Sequence, residues 1–141
     1  MPVEQLPLID EHSQRVDAPA DVVWTALVTV LHRRMGGAAW FARLLGCNPA
    51  VGGGEFAGRP GEAVPGFRVA EAEPGRRLAL RGRHQFAEYA LTFVLDGDRL
   101  RAETRAVFPG ALGRLYRAAV IGSGGHRVIT RRLLRQVTGS V

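Results

Sequence analysis

The strongest constraint on this chain is a run of four strand-length segments separated only by tight turns. Phe67 to Glu73 ends at Pro74-Gly75, and Arg76 to His84 follows it. Phe86 to Leu95 then ends at Asp96-Gly97-Asp98, and Arg99 to Phe108 ends at Pro109-Gly110. Glycine, proline and aspartate at such junctions are hairpin chemistry. Connections this short join neighbouring strands, so the four segments are expected to pair as an antiparallel meander.

The flanks supply the rest of the architecture. Leu8 to Val16 alternates, with Leu8, Asp10, His12, Gln14 and Val16 on one face, and reads as a first strand. Asp17-Ala18-Pro19-Ala20-Asp21 then puts a proline and an acid where a helix begins. Val22 to Leu31 follows with Val23, Trp24, Leu27, Val30 and Leu31 at helical spacing. Gly36-Gly37 breaks that helix, and Ala38 to Leu45 forms a second short one carrying Trp40, Phe41, Leu44 and Leu45. Asn48 to Gly66 is rich in glycine and proline, a loop with one short strand around Glu55 to Gly58. After the meander, Ala111 to Val137 places Leu112, Leu115, Ala119, Gly122, His126, Ile129 and Leu133 at steps of three and four. That stripe predicts a long C-terminal helix, bent at Gly122-Ser123-Gly124-Gly125, with Arg114, Arg117, Arg127, Arg131 and Arg135 off the stripe. The expected fold is α+β: a curved antiparallel sheet wrapped around a long C-terminal helix, with two short helices after the first strand.

Composition sets the outer bounds. A chain of 141 residues, 46% hydrophobic, fits one domain over 1–141 with a core of its own. The acidic N-terminus lacks a cationic n-region, and no apolar run reaches the roughly 18 residues of a membrane span. The expectation is a cytoplasmic protein. Cys47 stands alone, so no intrachain disulfide forms, and no Cys/His cluster has zinc spacing. No metal or cofactor is expected. The formal charge is +6, carried wholly by arginine, but the arginines are spread along most of the chain among acids. Nucleic acid is therefore not the expected partner. A homodimer is left open.

Alternation assigns the faces of the strands. Tyr89, Leu91, Phe93 and Leu95 share the face expected to meet the helix. Leu78, Leu80, Gly82 and His84 join them from one neighbour, and Leu100, Ala102, Thr104, Ala106 and Phe108 from the other. Arg101, Glu103 and Arg105 then point to solvent as cross-strand ion pairs. Three histidines fall on inward faces: His12, His84 and His126. Gly82, Ala102, Ala106, Ala119 and Gly122 also project inward, and small side chains on both walls either let the walls close or leave a cavity.

Particular residues resemble a known family. Val16-Asp17-Ala18-Pro19-Ala20-Asp21-Val22-Val23-Trp24 looks like the entry to the first helix of SRPBCC proteins of the polyketide cyclase/dehydrase-like group. Gly52-Gly53-Gly54-Glu55-Phe56 resembles their glycine turn, and Arg76-Arg77-Leu78 after Pro74-Gly75 fits a following strand. The resemblance runs from about residue 8 to 138 and implies the START-like helix-grip fold. It also tips the small inward residues towards a cavity. The family holds carriers, cyclases and hydrolases, so fold alone does not choose an activity.

The expected function is binding of a small hydrophobic molecule in an apolar cavity between sheet and C-terminal helix. Expected contacts are Leu80, His84, Tyr89, Leu91 and Phe93 from two strands, Ala102 and Thr104 from a third, Ala119, Gly122 and His126 from the helix, and Trp40 at the mouth. The alternative is a cyclase or dehydratase-type enzyme with His84 or His126 as acid–base residue and Tyr89 polarising a carbonyl. The scarcity of inward carboxylates, with only Asp10 or Glu71 as candidates at strand ends, favours a binder over an enzyme. No Gly-x-Ser-x-Gly elbow or phosphate loop is present, and nothing in the sequence marks the oriented base and oxyanion hole that Ser123, near His126, would need as a nucleophile. A third reading is a ligand-free interaction module acting through its arginine surface.

Overall fold

The computed structural model describes residues 5–36, 44–47 and 56–141. β1 (Leu8–Arg15) leads into α1 (Ala20–Gly36). Then come β2 (Ala63–Val64), β3 (Phe67–Glu73), β4 (Arg77–His84), β5 (Ala87–Asp96) and β6 (Arg99–Val107). The chain closes with α2 (Gly110–Arg117), a π-helical turn (Ala118–Gly122) and α3 (Gly125–Gly139). The six strands form one antiparallel sheet in the order β1-β6-β5-β4-β3-β2. The sheet curves around the C-terminal helices, which is the helix-grip arrangement the strand and helix patterns imply.

Register turns the alternation into rows across the inner face. Leu78, Phe93, Ala102 and His12 lie side by side in one row. Leu80, Leu91, Thr104 and Asp10 make the next. Gly82, Tyr89 and Ala106 make the third. The first row is covered by Leu133, Leu134 and Val137 of α3 and by Val23, Leu27 and Leu31 of α1, all at most 4% exposed. α1 starts where its sequence predicts, with Val23 N–H donating to Pro19 C=O at 3.1 Å and Asp21 in the first turn. Burying a leucine of this kind is worth roughly 1.5–3 kcal/mol.

The outer face carries the ion pairs. Arg101 reaches Glu11 on β1 at 3.6 Å, and Arg77–Glu71 and Arg81–Glu88 also cross between strands. Arg105 pairs instead with Glu103 two residues away on its own strand.

Several expectations are corrected. The first helix runs on past Leu31 to Gly36, where the glycine pair is expected to break it. Of the second short helix, Leu44 and Leu45 are helical, and 38–43 lie outside the described residues. Phe56 to Gly58 is not strand; the edge strand is Ala63–Val64. Glu71 is exposed and paired outward with Arg77.

The C-terminal helix is not one rod with one stripe. Leu112 and Leu115 are each 67% exposed and Ile129 66%, and Ala119 and Gly122 are exposed too. The face of α2 that meets the sheet is one position later, through Gly113, Tyr116 and Val120. Gly113 sits so close to the chain leaving β6 and to the β4–β5 turn that a Cβ there would lie 2.7 Å from the Phe108 carbonyl carbon and 3.0 Å from the Phe86 carbonyl oxygen. Tyr116 then stacks on Phe86 (ring centroids 5.4 Å apart) and packs edge-on against His84 at 4.7 Å. Backbone contact and aromatic burial fix the rotation of α2 over the claim of two leucines. The π-helical turn and Gly124, left-handed at φ 80°, then reset the phase so that α3 packs through His126, Thr130, Leu133, Leu134 and Val137.

Candidate ligand-binding cavity

Between the third row of the sheet and the α2–π segment lies a cavity of about 250 Å³. Its sheet wall is Tyr89 and Leu91 of β5 with Thr104 and Ala106 of β6. Its helical wall is Tyr116, Val120, Ile121 and His126. His84 and Phe67 close one end, and Ile9 the other. Ile9 reaches it through a β-bulge: Leu8 pairs with Arg105 but Asp10 with Thr104, so Ile9 is an extra residue on β1.

The floor of the space is Ala106, and Gly82 in the same row lets Gly66 and Tyr89 draw back onto β4. On β6 Ala106 repeats the alanine of the first row, Ala102, and on β4 Gly82 stands where the first row has Leu78. Gly82 can bear no side chain at all, since a Cβ would lie 2.0 Å from the Gly66 carbonyl oxygen. That approach lets the Tyr89 hydroxyl donate to Gly66 C=O at 2.6 Å.

One end of the cavity is polar. His126 Nε2 lies 3.0 Å from Thr104 Oγ1, 3.4 Å from Thr130 Oγ1 and 3.5 Å from Asp10 Oδ1. The Thr130 hydroxyl donates to His126 C=O at 2.9 Å, so towards the ring it is an acceptor. His12 Nε2 lies 3.4 Å from the other oxygen of Asp10. Asp10 Oδ1 and His12 Nε2 are buried with no hydrogen bond among the described residues. The Asp10 carboxylate thus sits between two imidazoles, just behind the cavity wall. Burial lowers the pKa of His126, and His12 adds to this, against the opposing pull of Asp10. The ring is therefore neutral near pH 7. In the tautomer that donates from Nε2 to Thr104, Nδ1 is its basic atom.

The other end is aromatic. His84 packs among Tyr116, Tyr89 and Phe86. Phe86 N–H donates to His84 Nδ1 at 3.0 Å, which leaves Nε2–H as the donor of the neutral ring. Burial lowers this pKa too. The hydroxyls of Tyr89 and Tyr116 are pushed up by burial, with Cys47 adding to both, and stay protonated. Tyr89 gives its hydrogen to Gly66, so it is not the free carbonyl-polarising donor expected of it.

Of the expected contacts, His84, Tyr89, Leu91, Thr104 and His126 line this one cavity. Leu80, Phe93 and Ala102 lie in the filled core instead, each at most 1% exposed. Ala119 and Gly122 face away from it, for the reason given for α2. Trp40 lies outside the described residues. Ile9, Val120 and Ile121 were not anticipated: the bulge and the π-helical turn that aim them leave no mark in the spacing. Asp10 was visible only as a possible strand-end acid. Among the described residues no group of three or more His, Cys, Asp or Glu side chains could hold a metal ion, and no helix is long and apolar enough to cross a membrane.

No protein-family model matches the chain, and no curated protein matches it. Solved structures do. Protein MLL2253 from Mesorhizobium loti superposes with a TM-score of 0.53 over 93% of this chain and 94% of its own, at 16% identity. Protein CV1439 from Chromobacterium violaceum gives a TM-score of 0.53 over 94% and 96%, at 18% identity. At such identities the likeness is one of fold, and it extends over nearly the whole chain.

Proposed function

We propose that the protein binds a small, mostly apolar molecule in the cavity between β5–β6 and the α2–π segment. The observation that carries this is the cavity itself: a mostly apolar lining, with His126 and Thr104 at one end and His84 among tyrosines at the other. Its volume falls just below the roughly 300–1,000 Å³ of drug-sized sites, so the occupant is a compact molecule of one or two rings. A hydroxyl or carbonyl on that molecule has Thr104 and His126 to meet. The helix-grip fold and the residues at Val16 to Trp24 support reading the chain as a relative of the SRPBCC polyketide cyclase-like proteins.

Native mass spectrometry of the purified protein tests the proposal. A retained small apolar compound, lost from an Ala106→Leu variant, is the expected result. Failure of wild-type protein to retain or bind any such compound from a panel of one- and two-ring phenols and ketones counts against it.

A second reading, acid–base catalysis, is favoured by one observation: a neutral His126 backed by the Asp10 carboxylate opens on the same cavity as His84. His126 Nδ1 then accepts a proton from a C–H bond beside a carbonyl, and His84 Nε2–H donates to that carbonyl oxygen. Elimination of 5-nitrobenzisoxazole, a compact carbon acid, reports such a base. Acceleration by wild type that falls at least tenfold in His126→Asn supports catalysis; equal rates for wild type, His126→Asn and buffer leave the binder alone.

A further inference from the structure

Arginine is used in two ways in this molecule. On the outer face of the sheet, Arg77, Arg81, Arg101 and Arg105 each meet a glutamate. On the C-terminal helices Arg114, Arg117, Arg127, Arg131, Arg132 and Arg135 are all exposed, and none forms an ion pair with a described residue. Residues 110–141 hold these six arginines and no acid, while residues 1–109 hold thirteen of each sign. The entire +6 charge therefore sits on the helical segment, and the even scatter the sequence suggests ends at Gly110.

Apolar side chains stand among these arginines. Leu112, Leu115 and Ile129 are each about two-thirds exposed and Val128 is 56% exposed. Single exposed aliphatics are ordinary, but four on one uniformly cationic segment are a different case. α2 turns both its leucines to water because Gly113 and Tyr116 pack on Phe86 and Phe108 at the ends of β5 and β6. In α3, Val128 is flanked by Arg127, Arg131, Arg132 and Arg135.

We propose that the outward side of α2–α3 docks on an anionic lipid surface, with Arg127, Arg131, Arg132 and Arg135 of α3 at the phosphates and Leu112, Leu115, Val128 and Ile129 below headgroup level. The charge alone would also suit nucleic acid. The aliphatic side chains decide between them, since a phosphate backbone offers them nothing to bury against. The inference does not depend on the cavity holding a ligand. It does place the cavity wall, formed by Tyr116, Val120 and Ile121, on the opposite side of the docked segment.

Flotation with phosphatidylcholine vesicles, with and without phosphatidylserine, is the test. The full chain is expected to float with the anionic vesicles at low salt and to release as salt rises. Arg131→Gln with Arg135→Gln should weaken binding about 25-fold, at about fivefold per arginine. Leu112→Ser with Leu115→Ser should weaken it several-fold at unchanged charge, and both variants should keep wild-type thermal unfolding. The proposal is overturned if binding ignores phosphatidylserine, if the leucine variant binds like wild type, or if duplex DNA competes the protein off the vesicles at equal phosphate.

Discussion

The space between sheet and C-terminal helices is filled at one end and hollow at the other, though both ends use the same strands. Ala102 and Ala106 show the difference. They lie on the same face of β6, four residues apart, and both are buried. Over Ala102, α1 and α3 supply Leu31, Leu134 and Val137, and the sheet supplies Phe93 and Leu78, so no room remains. Over Ala106 the helix is a widened π turn offering Val120 and Ile121, the neighbouring strand position is Tyr89 held away by Gly66, and beyond it stands Gly82. What separates core from cavity is thus the pitch of one helical turn together with two small residues, not a change in strand pattern. The polar groups follow the same division: His126, Thr104 and His84 line the hollow end.

The largest expected contrast is truncation. Leu134→Ala, in the filled end, should cost about 2–5 kcal/mol in urea unfolding. Val120→Ala, on the cavity wall, should cost less than about 1 kcal/mol, because a methyl there has open space on one side. Equal costs would break the comparison.

Enlargement should reverse the order of tolerance. Ala102→Leu is expected to destabilise by about 1–3 kcal/mol through overpacking, while Ala106→Leu should change stability by under about 1 kcal/mol. Thermal and urea unfolding of the two variants reads this directly.

The smallest effect sharpens the electrostatic side. Burial lowers the pKa of both His84 and His126 from the ordinary 6.5. The unfolded chain then takes up protons first as pH falls through about 6.5, so stability is flat above that value and declines below it, until the folded rings titrate too. The melting temperature should fall between about pH 7.5 and about pH 5.5, and fall less in His126→Gln, which removes one of the two rings. An identical slope in that variant would place the penalty elsewhere.

Much of the fold was legible because turn chemistry is local. Pro74-Gly75, Asp96-Gly97-Asp98 and Pro109-Gly110 fixed the meander to within a residue or two, and alternation then sorted Tyr89, Leu91 and Thr104 onto the inner face. The candidate site was legible where it rests on strands and illegible where it rests on the helix. A constant 100° per residue joins Leu112, Ala119 and His126 in one stripe. The chain instead follows Gly113, Tyr116 and Val120, because a backbone contact at Phe108, a π turn and a left-handed glycine each shift the phase. The Asp10–His126 approach joins β1 to α3 across most of the sequence, and Ile9 enters through a bulge. Neither has a local pattern to betray it.

The central claim is that one end is hollow and apolar and the other is solid. Methyl NMR under xenon pressure tests it without a known ligand, since xenon enters dry apolar cavities. The account predicts shifts confined to Ile9, Leu91, Ala106, Val120 and Ile121, with Leu78, Leu100, Leu134 and Val137 unmoved. Shifts at Leu134 and Val137, or none at any methyl, would contradict it.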